Sequence, residues 1–230
     1  AQALREEPQP RRGMSRTRQI DLATWPRAGQ FAHFRAYAQP HFSITAPIEV
    51  TRLVRRLKPE GVSVFNACVF AITEGGNAVP EFRTRFDDTG VHEHDAVGAS
   101  FTVPLEKGGF AFCEVARDPD FTAFDHACTT AIAAARKQSG LTDTTKAQDA
   151  WLFLSCLPWL SFSAMTHALR GPDDSVPRIA WGRYREDAAG RLVMPVSVQV
   201  HHALADGEHV AAFFAATQAA LDAIRTDIIV

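Results

Sequence analysis

The chain has 230 residues, of which 46% are hydrophobic and 22% are charged, so it can bury a core without a disulfide or a structural metal. Twenty-four lysines and arginines nearly balance 26 aspartates and glutamates, and the net charge of −2 excludes a protein that gathers nucleic acid or anionic lipid through a global field. No apolar run reaches the roughly 18 residues of a membrane span, and the four cysteines show no CxxC spacing. We therefore expect a globular protein of the reducing cytoplasm, with no nucleic-acid partner, no membrane partner and no metal.

Residues 1–13 differ in composition from the rest of the chain. They are charged and proline-rich, and they lack the apolar centre of a signal peptide. Met14 is a more natural start, which predicts that residues 1–13 are a disordered leader or a remnant of expression. Because no repeat or linker interrupts the remainder, we predict one domain over residues 14–230.

The first half of the chain predicts short helices alternating with strands. Trp25-Pro26-Arg27 opens a helix that extends to Tyr37, and residues 41–50 are predicted to form a strand. Ser63 is the predicted N-cap of a longer helix that Gly75-Gly76 ends. The other predicted elements are a short helix at residues 53–57, a turn at 87–90, and strands at 97–105 and 110–116.

The second half is dominated by strands and ends in a helix. Asp120 is the predicted cap of an amphipathic helix that ends before Gly140. Apolar and polar residues alternate between Leu192 and Val200, which is the period of a strand with one apolar face. Predicted strands lie at residues 151–157, 160–167, 178–186 and 191–202, and the last helix follows Gly207. Because there is no regular βαβ repeat, this order predicts an α/β or α+β fold with a mixed, largely antiparallel sheet.

The most informative segment is Val198–Gly207, where the last strand meets the last helix. If the alternation of the strand continues, His202 falls on the apolar face and His201 on the other. A histidine at a strand end, in a partly dry site, can be neutral near pH 7 and accept a proton. Asp206 lies at the start of the helix, where the dipole favours a carboxylate that can fix the loop around the imidazole. The segment predicts a general base at His202.

Two alternatives stay open on this local pattern. The two histidines could be an ordinary strand end, or a metal could be held by His201, His202, Asp206 and His209, although no further Cys/His cluster accompanies them. A Cys–His nucleophile at Cys156 is disfavoured, because strand alternation turns Cys156 away from the face that carries its neighbour Ser155.

QVHHALADGEHVAAFF resembles the HHxxxDG signature of the chloramphenicol acetyltransferases, in which the second histidine is the catalytic base. HHxxxDG by itself also occurs in dihydrolipoyl acyltransferases and condensation domains, but five further segments resemble elements of the family in the same order. With the family's pattern in parentheses, they are IDLATWPRAGQF (ID…W-x-R…F), VPEFRTRF (PEFR), HDAVGASFTV (WDSV…FTV), SCLPWLSF (S-x-x-PW-x-x-F) and GRYREDAAGRLVMPVSVQVHH (GKY…G…LMP…QVHH). Six ordered elements between Ile20 and Leu221 are a specific match.

The resemblance implies a single α/β domain, a two-layer sandwich with a mixed sheet, that forms a homotrimer with active sites between subunits. It implies acetyl transfer from acetyl-CoA, the co-substrate, to the primary hydroxyl of chloramphenicol, and thereby antibiotic resistance. The transfer is direct, in a ternary complex, without an acyl-enzyme and without a permanently bound cofactor.

The resemblance also assigns roles to the matching residues. His202 is the general base, and Asp206 pairs with Arg27 to lock the loop that holds it. Ser155 donates a hydrogen bond to the oxyanion of the tetrahedral intermediate. The residues that match the coenzyme A channel are Trp159, Arg183 and Tyr184.

The acceptor pocket is where this sequence departs from the family. His33 and Phe34 stand in place of Phe-Tyr, so a phenol hydroxyl is lost, and Ala180 replaces a threonine. Phe110 keeps an aromatic lining, whereas Phe112 is bulkier than the usual small residue. The chemistry is therefore better supported than the acceptor. The alternatives are the same machinery acting on a different small alcohol or a thiol, and an inactive trimeric binding or scaffold module with the same fold.

Overall fold

The computed structural model of the protein describes residues 16–106, 108–138 and 149–225. The predicted leader at residues 1–13 and the predicted helix boundary at Gly140 lie outside these residues. Among the described residues, no helix is both long enough and apolar enough to cross a membrane.

Strands and helices alternate irregularly along the chain, and the predicted α/β class is confirmed. The strands are β1 (Thr17–Ile20), β2 (His41–Glu49), β3 (Thr84–Asp87), β4 (Gly90–His94), β5 (Gly98–Pro104), β6 (Phe110–Val115), β7 (Trp151–Leu157), β8 (Arg178–Gly182), β9 (Arg185–Glu186) and β10 (Leu192–His201). The α-helices are α1 (Ala28–Arg35), α2 (Val64–Asn77), α3 (Pro80–Arg83), α4 (Phe121–Ala135) and α5 (Gly207–Ala223), and one turn of π-helix covers Leu53–Leu57. The side chains of Ser63 and Asp120 cap α2 and α4 as predicted.

The main sheet has the strand order β2-β10-β8-β7-β5-β6, and β9 pairs with the start of β10. Strand β7 is parallel to both of its neighbours and the other described pairs are antiparallel, so the sheet is mixed and largely antiparallel, as predicted. Alternate residues of β10 from Met194 to Val200 are buried in the core that α2, α4 and α5 complete. The opposite side of the sheet, which carries Ser155, Ala180 and Ser197, is called the outer face below.

The predicted strand at residues 160–167 is wrong. Residues 158–177 form an irregular segment. Its backbone bonds to side chains of β10: the Met165 carbonyl accepts from Ser197 Oγ at 3.0 Å, and the His167 amide donates to Gln199 Oε1 at 2.6 Å. Because these partners are side chains of the outer face, the segment covers the sheet and does not extend it.

The predicted strand at residues 178–186 is divided into β8 and β9. The Arg183 amide donates to the Leu160 carbonyl at 2.6 Å, and a Cβ on Gly182 would lie only 2.4 Å from that same oxygen. The close approach of Leu160 therefore draws the backbone at Gly182 and Arg183 away from the β10 ladder.

A second sheet of three short strands has the order β1-β4-β3. The sequence predicted only the turn between β3 and β4, so these three strands and α3 were not expected. Phe31 of α1 packs with Phe86 and Val91 of this sheet and with Leu204 in the loop after β10. Each missed element has four or five residues, too few for a clear periodic signal. The small sheet therefore connects the N-terminal segment to the loop that contains His202.

Gly75 and Gly76 do not end α2, which continues to Asn77. A Cβ on Gly75 would lie 2.0 Å from Thr217 Oγ1 of α5, and one on Gly76 would lie 2.4 Å from a methyl carbon of Leu152. The two glycines are therefore required by the close approach of α2 to α5 on one side and to β7 on the other.

Candidate active site

His202 lies in the loop between β10 and α5, and its ring is held between two aromatic side chains. The imidazole stacks on Phe34 with 3.9 Å between ring centroids and 3° between planes, and the Phe42 ring lies 4.6 Å away. The His202 amide donates to the Pro40 carbonyl at 2.8 Å. The side chain is 34% exposed although its Nδ1 is buried, so the exposed edge of the ring is the one that carries Nε2. This edge is available to a reacting group.

Arg27 is buried beside the same loop and fixes it at three places. Its Nη1 and Nη2 donate to the two carboxylate oxygens of Asp206 at 2.5 and 2.6 Å. Its Nε donates to the Ala203 carbonyl at 3.0 Å, and Nη2 also donates to the His202 carbonyl at 2.8 Å. The hydrogen bonds from Arg27 lower the pKa of Asp206, so the carboxylate is held as an anion. The structure thus brings together Arg27, Asp206 and His202, three residues that the resemblance assigned to catalysis.

Asp206 is also the N-cap of α5, and its carboxylate is close to the base. Oδ1 lies 3.2 Å from His202 Nδ1, without the alignment of a hydrogen bond. A negative charge at this distance favours a proton on Nδ1 and leaves the lone pair of Nε2 free. His209 in the first turn of α5 supports the cap, because its Nδ1 accepts from the Asp206 amide at 2.9 Å. This capping role of His209 was not expected from the sequence, because the residue three positions after an N-cap that makes this contact is usually glutamate or glutamine.

His201 has the opposite environment to its neighbour. It is 2% exposed, its Nδ1 accepts from the Ala203 amide at 3.1 Å, and its Nε2 donates to the Pro172 carbonyl at 3.0 Å. Both ring nitrogens are therefore engaged, which argues against the alternative of a metal held by His201, His202, Asp206 and His209. Burial, together with the nearby His41, lowers the pKa of His201 from 6.5 to about 4.

We expect the free energy of unfolding to decrease as the pH falls from 6.5 to 4. In that range the unfolded chain binds a proton at His201 that the folded chain does not bind. Over the whole range this difference lowers the free energy of unfolding by about 3 kcal/mol. Urea denaturation across this pH range measures the effect. The variant His201→Asn should be less stable but should depend less on pH, whereas replacement of the exposed His126 by asparagine should leave the slope unchanged. Equal slopes for His201→Asn and wild type would contradict the assignment.

Ser155 is remote from His202 within one chain. It lies beside Ala180 of β8, which lies beside Ser197 of β10. Ser197 is five residues before His202 and two strands away from Ser155, so the two side chains are roughly 19 Å apart. The structure therefore does not bring the expected base and the expected oxyanion donor together in one chain.

The residues expected to line the acceptor pocket fall into two groups within one chain, one beside His202 and one near Ser155. Phe34 stacks on His202, and the exposed His33 accompanies it, with its Nε2 2.9 Å from the Tyr37 hydroxyl. Phe112 pairs across β6 and β5 on the outer face, at the level of Ser155, and Phe110 beside it is 45% exposed. Ala180 is completely buried, so the structure gives it no surface for direct contact with an acceptor.

An apolar groove of about 570 Å³ opens on the helix side of the sheet. Two of the three residues expected to contact coenzyme A, Arg183 and Tyr184, line it, but Trp159 does not, and its side chain is 75% exposed. The remaining lining residues, which the sequence did not single out for this role, are Val64, Phe65, Cys156, Pro158, Trp181, Gly182 and Met194. Burial raises the pKa of the Cys156 thiol to about 11, so this thiol is protonated near neutral pH.

Comparison with known proteins assigns the family. The family model described as chloramphenicol acetyltransferase matches residues 15–218. The chain belongs to the chloramphenicol acetyltransferase family. It is 31% identical over 207 residues to chloramphenicol acetyltransferase 2 of Escherichia coli, covering 89% of this chain and 97% of that one. It is 33% identical over 195 residues to the chloramphenicol acetyltransferase of Streptomyces acrimycini, covering 84% and 88%.

Solved structures agree with this assignment. A chloramphenicol acetyltransferase superposes with a TM-score of 0.82 at 27% identity, covering 90% of this chain and all of the other. The dihydrolipoamide acetyltransferase of Azotobacter vinelandii has a TM-score of 0.63 at 17% identity over 86% of this chain and 87% of that one, a likeness of fold alone. The chain is thus an acyltransferase of the chloramphenicol acetyltransferase family.

Proposed function

We propose that this acyltransferase moves an acetyl group from acetyl-CoA to the primary hydroxyl of chloramphenicol. The observation that carries the proposal is the loop of His202, in which Arg27 and Asp206 fix an imidazole whose Nε2 edge is open. The names of the relatives supply the acceptor and the transferred group. The proposal places the enzyme in the cytoplasm, a compartment where free cysteines persist.

In the proposed mechanism, His202 Nε2 takes the proton of the acceptor hydroxyl as its oxygen attacks the thioester carbonyl of acetyl-CoA. The C–O bond forms, and the carbonyl electron pair moves to oxygen in a tetrahedral intermediate. When that intermediate collapses, the C–S bond breaks and the imidazolium returns its proton to the departing thiolate. The carboxylate of Asp206, 3.2 Å from Nδ1, stabilises the imidazolium between these two steps.

Ser155 is the proposed donor to the oxyanion, supplied by a second copy of the chain. The separation of roughly 19 Å between His202 and Ser155 within one chain supports a site completed by a neighbour. We therefore propose a homotrimer in which each site combines His202 and Phe34 of one subunit with the outer face of the next. The outer face would contribute Ser155, Phe110 and Phe112.

The apolar groove is the proposed route of the coenzyme A arm. Its walls are apolar apart from Arg183 at its edge, which suits a flexible thioester arm that carries a phosphorylated nucleotide. The Arg183 guanidinium would pair with phosphate, and Tyr184 would pack against the arm. Trp159, although outside the groove, remains proposed as a contact because it is exposed and directly follows Pro158, which lines the groove.

A different small alcohol or thiol is the second candidate acceptor. The ring of Phe34 stacks flat on His202 and carries no hydroxyl, so an acceptor finds one polar partner fewer at this wall. An assay that follows release of the coenzyme A thiol from acetyl-CoA tests both candidates. We expect saturable turnover with chloramphenicol, whereas turnover only with another alcohol or thiol would replace the acceptor. No turnover with any acceptor would overturn the enzymatic proposal and favour a binding module.

Two variants that are each inactive should recover activity when they share an oligomer. His202→Ala removes the base and Ser155→Ala removes the oxyanion donor. In a randomly mixed trimer, roughly one interface in four joins an intact His202 to an intact Ser155. We expect coexpression to restore about a quarter of wild-type activity, and light scattering to give the mass of three 25.2 kDa chains. Mixed variants that stay inactive, or a fully active monomer, would contradict the shared site.

A further inference from the structure

Two histidines and an aspartate form a cluster on the small sheet, away from the proposed active site. His92 and His94 alternate on β4 and so share one face of it, with 5.3 Å between their ring centroids. Val91 lies on the other face, where it packs with Ala203 and Leu204 of the loop around His202. The cluster and the catalytic loop are therefore on opposite sides of β4.

The carboxylate of Asp149 lies between the two imidazoles. Oδ1 is 2.8 Å from His94 Nε2, and Oδ2 is 3.2 Å from His92 Nε2. One ligand atom from each of the three side chains lies within 4.8 Å of the other two. The histidine side chains are 14% and 5% exposed, whereas Asp149 is 45% exposed, so the cluster opens to solvent on the carboxylate side.

Arg85 holds the backbone of Asp149 in place for this contact. The guanidinium is completely buried and donates to main-chain carbonyls, among them those of Asp149 at 3.0 Å and Trp151 at 2.7 Å. It also donates to the carbonyl oxygens of Phe82 and Thr84. The carboxylate oxygens of Asp149 are thereby left to face the two imidazoles.

We propose that His92, His94 and Asp149 bind a divalent transition-metal ion of the Zn²⁺ class. Two imidazole nitrogens and one carboxylate oxygen suit Zn²⁺, Co²⁺ or Ni²⁺, whereas Mg²⁺ and Ca²⁺ require oxygen ligands. The exposed side of Asp149 gives the ion a path of entry and leaves a position for water. On binding, each Nε2 gives up its contact with the carboxylate and donates its lone pair to the metal, and the ring proton resides on Nδ1.

The groups around the cluster limit its affinity for a metal ion. The positive charge of Arg85 opposes a divalent ion, which favours binding in the micromolar range over a tight structural site. The Nδ1 of His94 is buried without a hydrogen-bond partner among the described residues, so the ring proton that it carries in the metal-bound form has no acceptor there, which also lowers the affinity. Since Asp149 lies two residues before the start of β7 in the main sheet, a bound ion would link the small sheet to the large one.

The sequence offers a well-matched variant. His94 belongs to the segment HDAV, which resembles WDSV in the family, so His94→Trp installs the family's residue and removes one ligand. Asp149→Asn is a second, nearly isosteric variant, which still tests metal binding if the tryptophan at position 94 disturbs the fold. Glu208→Gln is the control, because Glu208 belongs to another carboxylate–histidine group, with Asp206 and His209.

The experiment titrates the chelator-treated full chain with Co²⁺, followed by visible absorption, and with Zn²⁺, followed by calorimetry. We expect one equivalent per chain for wild type and for Glu208→Gln, with affinity reduced at least about 10- to 100-fold in His94→Trp and Asp149→Asn. Zn²⁺ should raise the Tm of wild type but not of these two variants. Absence of saturable binding in wild type, or binding that His94→Trp leaves unchanged, would overturn the proposal.

Discussion

Replacement of His202 by alanine is expected to lower kcat for acetyl transfer by about 10²- to 10⁴-fold, the usual contribution of a general base. The neighbouring His201 cannot take over this role, because both of its ring nitrogens are engaged. The fold should persist, since the His202 side chain is partly exposed and its removal leaves the Arg27 bonds to the loop in place. Steady-state rates and circular dichroism measure the two effects. A variant that keeps more than roughly a tenth of the wild-type rate would refute the assignment.

The control for this variant cannot be the neighbouring histidine. The sequence suggests His201→Ala, because alternation turns His201 away from the base. The structure shows that His201 is buried and holds both Ala203 and Pro172, so its removal would disturb the loop itself. His126→Ala on the exposed side of α4 is the better control, and we expect it to keep the wild-type rate.

Loss of Arg27 or Asp206 is expected to reduce both stability and rate. Breaking a buried ion pair costs about 3–5 kcal/mol, and the partial exposure of Asp206 lowers this to about 2–4 kcal/mol for Arg27→Val. Asp206→Asn should cost less, because Arg27 keeps its bonds to the carbonyls of His202 and Ala203. The rate should fall in both variants, since each loosens the loop that orients the imidazole.

A double-mutant cycle by urea denaturation measures the coupling in this pair. We expect Arg27→Val with Asp206→Asn to cost less than the sum of the single changes, because no charge is then left without its partner. Additive losses would mean that the two residues do not interact energetically, despite the hydrogen-bond distances of 2.5 and 2.6 Å.

The sequence was most informative where the candidate site depends on residues that are close in the chain. His202, Asp206 and the cap of α5 lie within one short segment, and alternation along β10 identifies its buried face. Long, strongly periodic elements such as α2 and α5 were predicted for the same reason.

What the sequence could not predict depends on contacts between distant segments. The stacking of Phe34 on His202 needs the relative position of α1 and the β10–α5 loop, which no local pattern encodes. Trp181 lines the apolar groove, whereas Trp159, which was expected at the coenzyme, does not. This follows from the irregular path of residues 158–177, whose polar partners lie on β10. Glycines interpreted as a helix end were instead packing residues, because glycine has the same sequence signature in both roles.

The close approach at Gly75 has a consequence for how the enzyme can evolve. Asp206 is the N-cap of α5 and Thr217 lies further along this helix, and Thr217 leaves no room for even a methyl group on Gly75. A substitution at Gly75 would therefore displace α5, the helix whose N-cap Asp206 helps to hold the loop of His202. The intolerance of Gly75 to substitution therefore follows from its contact with α5. Libraries that test the proposed acceptor site should hold Gly75 and Gly76 constant and diversify the outer face around Phe110 and Phe112.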